Sequence, residues 1–285
     1  MAQQARRLSM AALMAFVVYV LLLAGGVTRA ALTAAQNSIT AEFLRSFAVS
    51  IPGLASVWTG DDWCTWPYVS CNADTNITVI IDNAGFTGSL PELNVAGDSA
   101  NIAVTEISLT NMDIGGGFKN SWGGLKKVRV LNFTNTNLFG TIPASWNAMR
   151  SLQTVILKNS SACGSLPRWT LTSLKNIDVS NNLLRGSMPD TLGYIAGLQN
   201  VSLVGNNFCG CSPPSWVSRV LTSALFQAMG SAPYKPNCRA PINCGSEGAK
   251  CSRDPPQYRD AAAAPLRVVV AVLTLVLALV CNFSV

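Results

Sequence analysis

The 285-residue sequence contains no histidine. That absence takes away the usual base beside a serine or cysteine nucleophile and the commonest metal ligand. Gly115-Gly116-Gly117 is not followed by the lysine–serine pair of a phosphate-cradling loop. Charge is also scarce, at 12% of residues, and its formal excess of +6 is misleading. Arg6, Arg7, Arg29 and Arg267 lie in terminal segments that read as removable, and they supply four of those charges. The remainder nearly cancels, so nothing points to nucleic acid or to a purely electrostatic membrane contact. No enzymatic activity, cofactor or metal site is expected.

The ends look like processing signals. Residues 1–30 have a basic start at Arg6 and Arg7, an apolar run from Leu8 to Leu23, and the small residues of Thr28-Arg29-Ala30 at a cleavage-like site. This is the pattern of a secretory signal peptide. At the other end Leu266 to Cys281 is apolar apart from Arg267, with nothing basic after it. It is shorter than the ~20 residues a spanning helix needs. Upstream stands Asp260 followed by four alanines. Small residues, a spacer and an apolar tail are the signal for a glycosylphosphatidylinositol (GPI) anchor. Asp260 is the expected attachment residue and Ser252 the alternative. The spacer after Ala262 is shorter than the usual ~8–12 residues.

Secretion agrees with the cysteines. Cys281 leaves with the tail, and eight remain: Cys64, Cys71, Cys163, Cys209, Cys211, Cys238, Cys244 and Cys251. An even number in a secreted chain implies disulfides. The spacing from Cys238 through Cys244 to Cys251 lacks the tight knuckles of a structural zinc site.

Between the ends the chain repeats itself. The pattern L-x-x-L-x-L-x-x-N-x-L-x-G-x-I-P is clearest at Leu174, Ile177, Val179, Asn182, Leu184, Gly186, Met188 and Pro189. Its glycine recurs at 88, 116, 140, 164, 186 and 210, in steps of 28, 24, 24, 22 and 24. Periods of ~20–29 residues with this apolar pattern mark leucine-rich repeats. Each turn offers a short strand whose alternate residues are apolar, and stacking the turns covers that apolar face. The expected fold is an α/β solenoid, a curved leucine-rich-repeat coil of about six turns. It has a parallel concave sheet and disulfide-containing caps at both ends. Trp122, Trp146, Trp169 and Trp216 follow the glycines by five or six residues and should pack on the convex side. Two columns compete for the inner asparagine ladder. One holds Asn182 and Asn206; the other holds Asn83, Asn111, Asn135, Asn159 and Asn181.

Phe43, Leu44 and Phe47 suggest a short apolar helix before the repeats. The following stretch, Trp58 to Cys71 with Trp63-Cys64-Thr65-Trp66, resembles the cap of plant-type leucine-rich repeats. That resemblance pairs Cys64 with Cys71. The other six cysteines admit fifteen pairings. Cys163 and Cys209 share a column two turns apart, about 10 Å, which exceeds the reach of a bridge. The division expected is 1–30 signal peptide, 31–76 N-terminal cap, 77–211 repeats, 212–260 cysteine-rich cap and stem, and 261–285 removed tail.

Signal peptide, tryptophan–cysteine cap, turns such as Gly-Thr-Ile-Pro-Ala-Ser-Trp-Asn-Ala-Met at 140–149, cysteine-rich end and tail together resemble the promastigote surface antigen family. These are GPI-anchored leucine-rich-repeat proteins of trypanosomatid parasites. The resemblance covers essentially the whole chain. It implies a glycoprotein of the outer leaflet, also shed or secreted, with attachment or immune roles. One departure is the absence of a threonine- and proline-rich stalk before the cysteine cap. It leaves two readings, a member sitting closer to the membrane or a reduced copy.

Residues alternating with the buried ones should face the concave side. Asp82, Glu106, Ser108, Thr134, Thr154, Lys158, Asn176, Asp178 and Ser202 are the candidate binding face. Their carboxylates lie too far apart along the repeats to suggest a catalytic pair. Glycosylation sequons start at Asn76, Asn132, Asn159 and Asn200. Asn76 should be the most accessible, Asn159 buried and unmodified, and Asn132 and Asn200 should point to the concave side. Two functions follow. The first is binding to a host-cell receptor, matrix component or other extracellular protein or glycan, with the membrane met through the lipid anchor and no nucleic acid partner. The second is a passive antigenic coat without a specific partner.

Overall fold

The computed structural model describes residues 32–72, 76–208 and 213–217. The proposed signal peptide, the tail with Asp260 and Ser252, and Cys209, Cys211, Cys238, Cys244 and Cys251 lie outside the described residues.

Thr33 begins the fold. Its hydroxyl accepts from the Gln36 amide while the Gln36 side chain accepts from the Thr33 amide, both at 3.2 Å. This reciprocal cap satisfies two donors that a helix start would otherwise leave open. The helix that follows, α1, spans Ala34–Ser50 and stops ahead of Pro52. At 17 residues it is longer than the short cap helix expected. Phe43, Leu44 and Phe47 are fully buried on it. Phe43 and Phe47 rest against Trp122, with ring centroids 6.2 and 6.1 Å away. The Ala103 amide donates to Thr40 Oγ1 at 3.0 Å, tying the helix to a repeat turn. The Cys64–Cys71 disulfide forms, closing the cap. Beside it Trp58 and Trp66 stack at 5.2 Å. Cys163 is disulfide-bonded as well.

The strands are β1 (Val69–Cys71), β2 (Ile77–Asp82), β3 (Thr87–Ser89), β4 (Val104–Thr110), β5 (Asp113–Gly115), β6 (Val130–Asn132) and β7 (Phe139–Thr141). They continue as β8 (Thr154–Ile156), β9 (Ser161–Gly164), β10 (Asn176–Asp178), β11 (Leu183–Gly186), β12 (Asn200–Ser202) and β13 (Asn207–Phe208). The long sheet runs β1-β2-β4-β6-β8-β10-β12. All its pairs are parallel except β1 with β2, where the cap strand turns back on the first repeat.

A second row of strands was not expected. Short segments at or just before the recurring glycine form β7-β9-β11-β13 and β3-β5, all parallel. Gly117 and Phe139 bridge the two groups. The glycines at 116, 140, 164 and 186 have φ between 79° and 96°, a region that L side chains enter at a cost. Each lets the chain turn out of one strand row and into the convex return.

The convex side holds single-turn 3-10 helices at Asn120–Gly124, Ala144–Ala148 and Asp190–Tyr194. Trp122, Trp146 and Trp169 are fully buried there, as expected, and Trp216 nearly so. Each indole N–H donates to a carbonyl one turn earlier. Trp122 reaches Pro91 O at 2.9 Å, Trp146 Lys119 O at 3.0 Å, Trp169 Pro143 O at 3.4 Å and Trp216 Pro189 O at 3.0 Å. The tryptophans thus combine apolar burial with a polar tie between turns. In the turn of Gly186 the equivalent position is Leu192, also fully buried but without such a donor.

The two asparagine columns do different work. Asn182, buried inside the coil, accepts from the Ala162 amide at 2.9 Å and donates to Leu157 O at 2.7 Å. Asn206 does the same for the Leu184 amide and Val179 O. Earlier turns substitute hydroxyls, with Thr136 and Ser160 both donating to Phe133 O. The other column lies on the rim. Asn83, Asn111, Asn135, Asn159 and Asn181 have φ between 48° and 54°, a left-handed geometry that asparagine tolerates better than most residues. Asn111 Nδ2 donates to Asp82 Oδ1 at 2.7 Å, Asn135 to Asn111 at 2.5 Å, Asn159 to Asn135 at 2.6 Å and Asn181 to Asn159 at 2.7 Å. The next place is Gly205, where a Cβ would collide with Asn181 Oδ1.

Candidate interaction face

The inward residues of the long sheet are consumed by packing. Val79, Ile81, Ile107, Leu109, Leu131, Phe133, Val155 and Leu157 are fully buried. The outward residues form three aligned columns. Thr78, Glu106, Val130, Thr154, Asn176 and Asn200 make the first. Ile80, Ser108, Asn132, Ile156, Asp178 and Ser202 make the second. Asp82 and Thr110 open the third. Thr134, Lys158, Ser180 and Val204 continue it, their carbonyls accepting from Asn111, Asn135, Asn159 and Asn181 of the preceding turns.

The structure places the nine candidate residues unevenly. Asp82 and Lys158 are exposed, and Glu106, Thr134, Thr154, Asn176, Asp178 and Ser202 are half-buried. Ser108 is buried, contrary to expectation. Its short side chain sits between the larger Ile80 and Asn132 on the flanking strands. Ile80 was not singled out among the polar candidates, yet it is 46% exposed. Its place in the strand alternation was the available signal.

Several polar groups on this face are already engaged. Asp82 accepts from Thr110 Oγ1 at 2.5 Å as well as from Asn111. These two bonds, the hydroxyl first, hold its carboxyl below the usual carboxylate range. Asp178 Oδ1 accepts from the Ser180 amide at 2.9 Å. Asn200 donates to Asn176 at 2.7 Å, and Asn176 to Thr154 at 3.1 Å. Thr134 donates to Asn132 at 2.7 Å. The side chain of Lys158 makes no hydrogen bond or ion pair among the described residues, and the apolar side chain of Ile80 is about half exposed. Among the described residues no group of three or more acidic or cysteine side chains could hold a metal ion.

The sequons also depart from expectation. Asn159 is half-buried rather than buried, its amide bonded on both sides in the rim ladder. Asn76 is half-buried and accepts from Thr105, whereas Asn200 is exposed. Asn132 is half-buried.

Stacked parallel strands, one per repeat, with the apolar side buried and the glycine turn behind, define a leucine-rich-repeat protein. Residues 173–195 match the model of the Leucine Rich Repeat family. The crystal structure of PEPR1-AtPEP1 superposes with a TM-score of 0.54 at 20% identity, covering 63% of this chain and 26% of that one. This likeness concerns the fold. The leucine-rich-repeat ectodomain of the receptor kinase SOBIR1 from Arabidopsis thaliana is 21% identical, with TM-score 0.49, over 58% of this chain and 94% of that one.

A more particular likeness is to a surface glycoprotein. Over 140 residues the chain is 36% identical to the surface membrane glycoprotein GP46/M-2 of Leishmania amazonensis, a match taking in 46% of this chain and 29% of that protein. The match therefore spans less than a third of that relative's length. The repeat fold and this glycoprotein are both of non-enzymatic type. Among the described residues no helix is long and apolar enough to cross a membrane.

Proposed function

We propose that this is a cell-surface antigen whose long sheet binds a protein or glycan at the parasite–host interface. The carrying observation is the outward side of that sheet. It is a broad, regular surface on which Ile80 and Lys158 are exposed, Lys158 without a polar partner among the described residues, while the opposite side is fully packed. Binding surfaces gain most from groups that are not already satisfied internally. A relative named a surface membrane glycoprotein supports the location. The division into signal peptide (1–30), cap (31–76), repeats (77–211), cysteine-rich stem (212–260) and tail (261–285) belongs to the same reading. So does a GPI anchor at Asp260, or else at Ser252.

Two measurements test it. Phosphatidylinositol-specific phospholipase should release the full chain from anchor-competent cells; retention beside a released control would refute the anchor. Host cells or extracellular matrix should bind the released chain saturably, and Ile80→Ser with Lys158→Glu should weaken binding at least tenfold, about 1.4 kcal/mol. Unchanged binding would remove the sheet as the site. The exposed sequon at Asn200 favours a second reading, a glycan-shielded coat. Full occupancy at Asn200 and Asn132 with no saturable binding would establish it.

A further inference from the structure

Charge is strongly segregated along the repeats. Residues 31–118 hold nine acidic side chains and one basic one, Arg45. Residues 119–217 hold nine basic side chains and two acidic ones, Asp178 and Asp190. The near-zero total therefore hides two opposed halves, and a field of one sign surrounds each.

Within the basic half the cations are not scattered evenly. Lys126, Lys127, Arg129, Arg150 and Lys175 all lie where the convex return enters the long sheet, on three successive turns. Backbone bonds fix that placement. The amides of Gln153 and Thr154 donate to Arg129 O, Lys175 donates to Gln153 O, and Gln199 donates to Lys175 O. Arg129 and Lys175 thus occupy one column two turns apart, about 10 Å at the usual strand spacing. Arg129, Arg150 and Lys175 are exposed and Lys127 is half-buried. Lys126 is pinned between turns, its Nζ donating to Gly123 O at 2.6 Å and Ala148 O at 3.0 Å. It and Arg150 border a shallow recess lined also by Ser145 and Asn147. The ion pairs among the described residues are Arg45 with Asp61 and Lys119 with Glu92, so no described carboxylate pairs with this edge.

We infer that this edge is a second binding surface, for a linear sulfated polysaccharide. A row of cations repeating with the turns matches a polymer that carries anionic groups along its length. Like-charged neighbours held this close are unfavourable alone and are relieved by such a polyanion. Two other polyanionic partners fit less well. Among the described residues the exposed large apolar side chains are Val49, Val57, Tyr68, Ile80, Leu183 and Tyr194, and none lies on the convex returns that lead into β6, β8 and β10. This edge therefore lacks the apolar insertion that strengthens membrane binding and the aromatic platforms on which nucleic-acid bases stack. The surface is distinct from the outward columns of the sheet.

The test compares two charge-matched doubles of the full chain, purified in detergent, on immobilised heparin. Arg129→Glu with Lys175→Glu changes the edge; Arg168→Glu with Arg185→Glu changes the net charge equally elsewhere. The wild type should be retained at roughly physiological ionic strength and pass through N- and O-desulfated heparin. The edge double should elute earlier, with a salt dependence shallower by about two, one for each lost contact. The control double should elute close to the wild type. Equal shifts in both doubles would reduce the effect to bulk charge and overturn the inference. So would failure of the wild type to be retained, or edge-dependent binding to phosphatidylserine vesicles without heparin retention. Should the edge double show a lowered unfolding midpoint, Arg129→Gln with Lys175→Gln, set against Arg168→Gln with Arg185→Gln, decides by the same criteria.

Discussion

Trp122 joins the cap to the repeats, and its removal should uncouple them. The side chain is fully buried. Phe43 and Phe47 of α1 lie on one side of it and Phe133 of the next turn on the other, all about 6 Å between ring centres. Its indole donates to the carbonyl of buried Pro91. Trp122→Ala loses the transfer energy of the ring and leaves a cavity that three phenylalanines cannot close, together about 3–5 kcal/mol. Trp122→Phe keeps most of the apolar contact but strips Pro91 O of that donor, costing about 1–3 kcal/mol. Against a whole-domain stability of about 5–15 kcal/mol, the alanine variant should come close to releasing the cap. Urea unfolding followed by circular dichroism gives the loss, and hydrogen exchange at the α1 amides shows where it falls. In Trp122→Ala those amides should lose protection before the strands of β8 and β10 do. If Trp122→Phe is within about 0.5 kcal/mol of wild type, the indole bond carries nothing. If α1 keeps full protection in the alanine variant, the coupling through Trp122 is wrong.

Three further outcomes follow from the same geometry. Asn182→Ala leaves the Ala162 amide and Leu157 carbonyl unpaired inside the coil and should cost about 2–4 kcal/mol by denaturant unfolding, whereas Asn181→Gly on the rim keeps the left-handed backbone and should cost about 1 kcal/mol or less; equal losses would refute the division between the columns. Asp82 and Glu92 are both held below the ordinary carboxylate range, by Thr110 and Asn111 and by Ser121 and Lys119 respectively. Their contribution is complete above the unfolded carboxylate values and disappears as pH falls through the lowered ones, so Asp82→Asn should reduce the unfolding midpoint at pH 7 and by progressively less as the solution is acidified, and a difference that does not shrink in acid would contradict this. Mass spectrometry of glycopeptides should find Asn200 the most fully occupied sequon and Asn159 empty; the reverse order would show that exposure in the folded chain does not govern attachment.

The repeat was legible because its signal is periodic and redundant. Glycine, proline and alternating apolar residues each mark the same register, and the aligned outward columns follow from it. What escaped reading depends on small geometric facts. The second strand row carries too few residues per turn, as in Asn207–Phe208, to show alternation. Neither asparagine column could be assigned from identity alone, since a left-handed φ, visible at Asn135 or Asn159 only in the backbone, separates rim from interior. Ser108 was misplaced because burial on an outward face is decided by its neighbours Ile80 and Asn132, not by its own polarity. Segregation of charge was present in the order of residues but is lost when charges are summed.

The rim of asparagines has a direction. In Asn111, Asn135, Asn159 and Asn181 the bonded amide hydrogen points toward the N-terminal cap, so the side-chain dipoles add along the stack as peptide dipoles add along a helix. Asp82 stands at the positive terminus, where a helix would place an acidic residue, and bonds of this kind polarise one another. Such a stack is indifferent to its own length. A turn spliced into the middle brings one donor and one acceptor and leaves the series closed, while a turn lost from the front exposes a donor and forfeits the carboxylate. Gain or loss of interior repeats is thereby the inexpensive route by which proteins of this design change reach, and the first turn is the one they must keep.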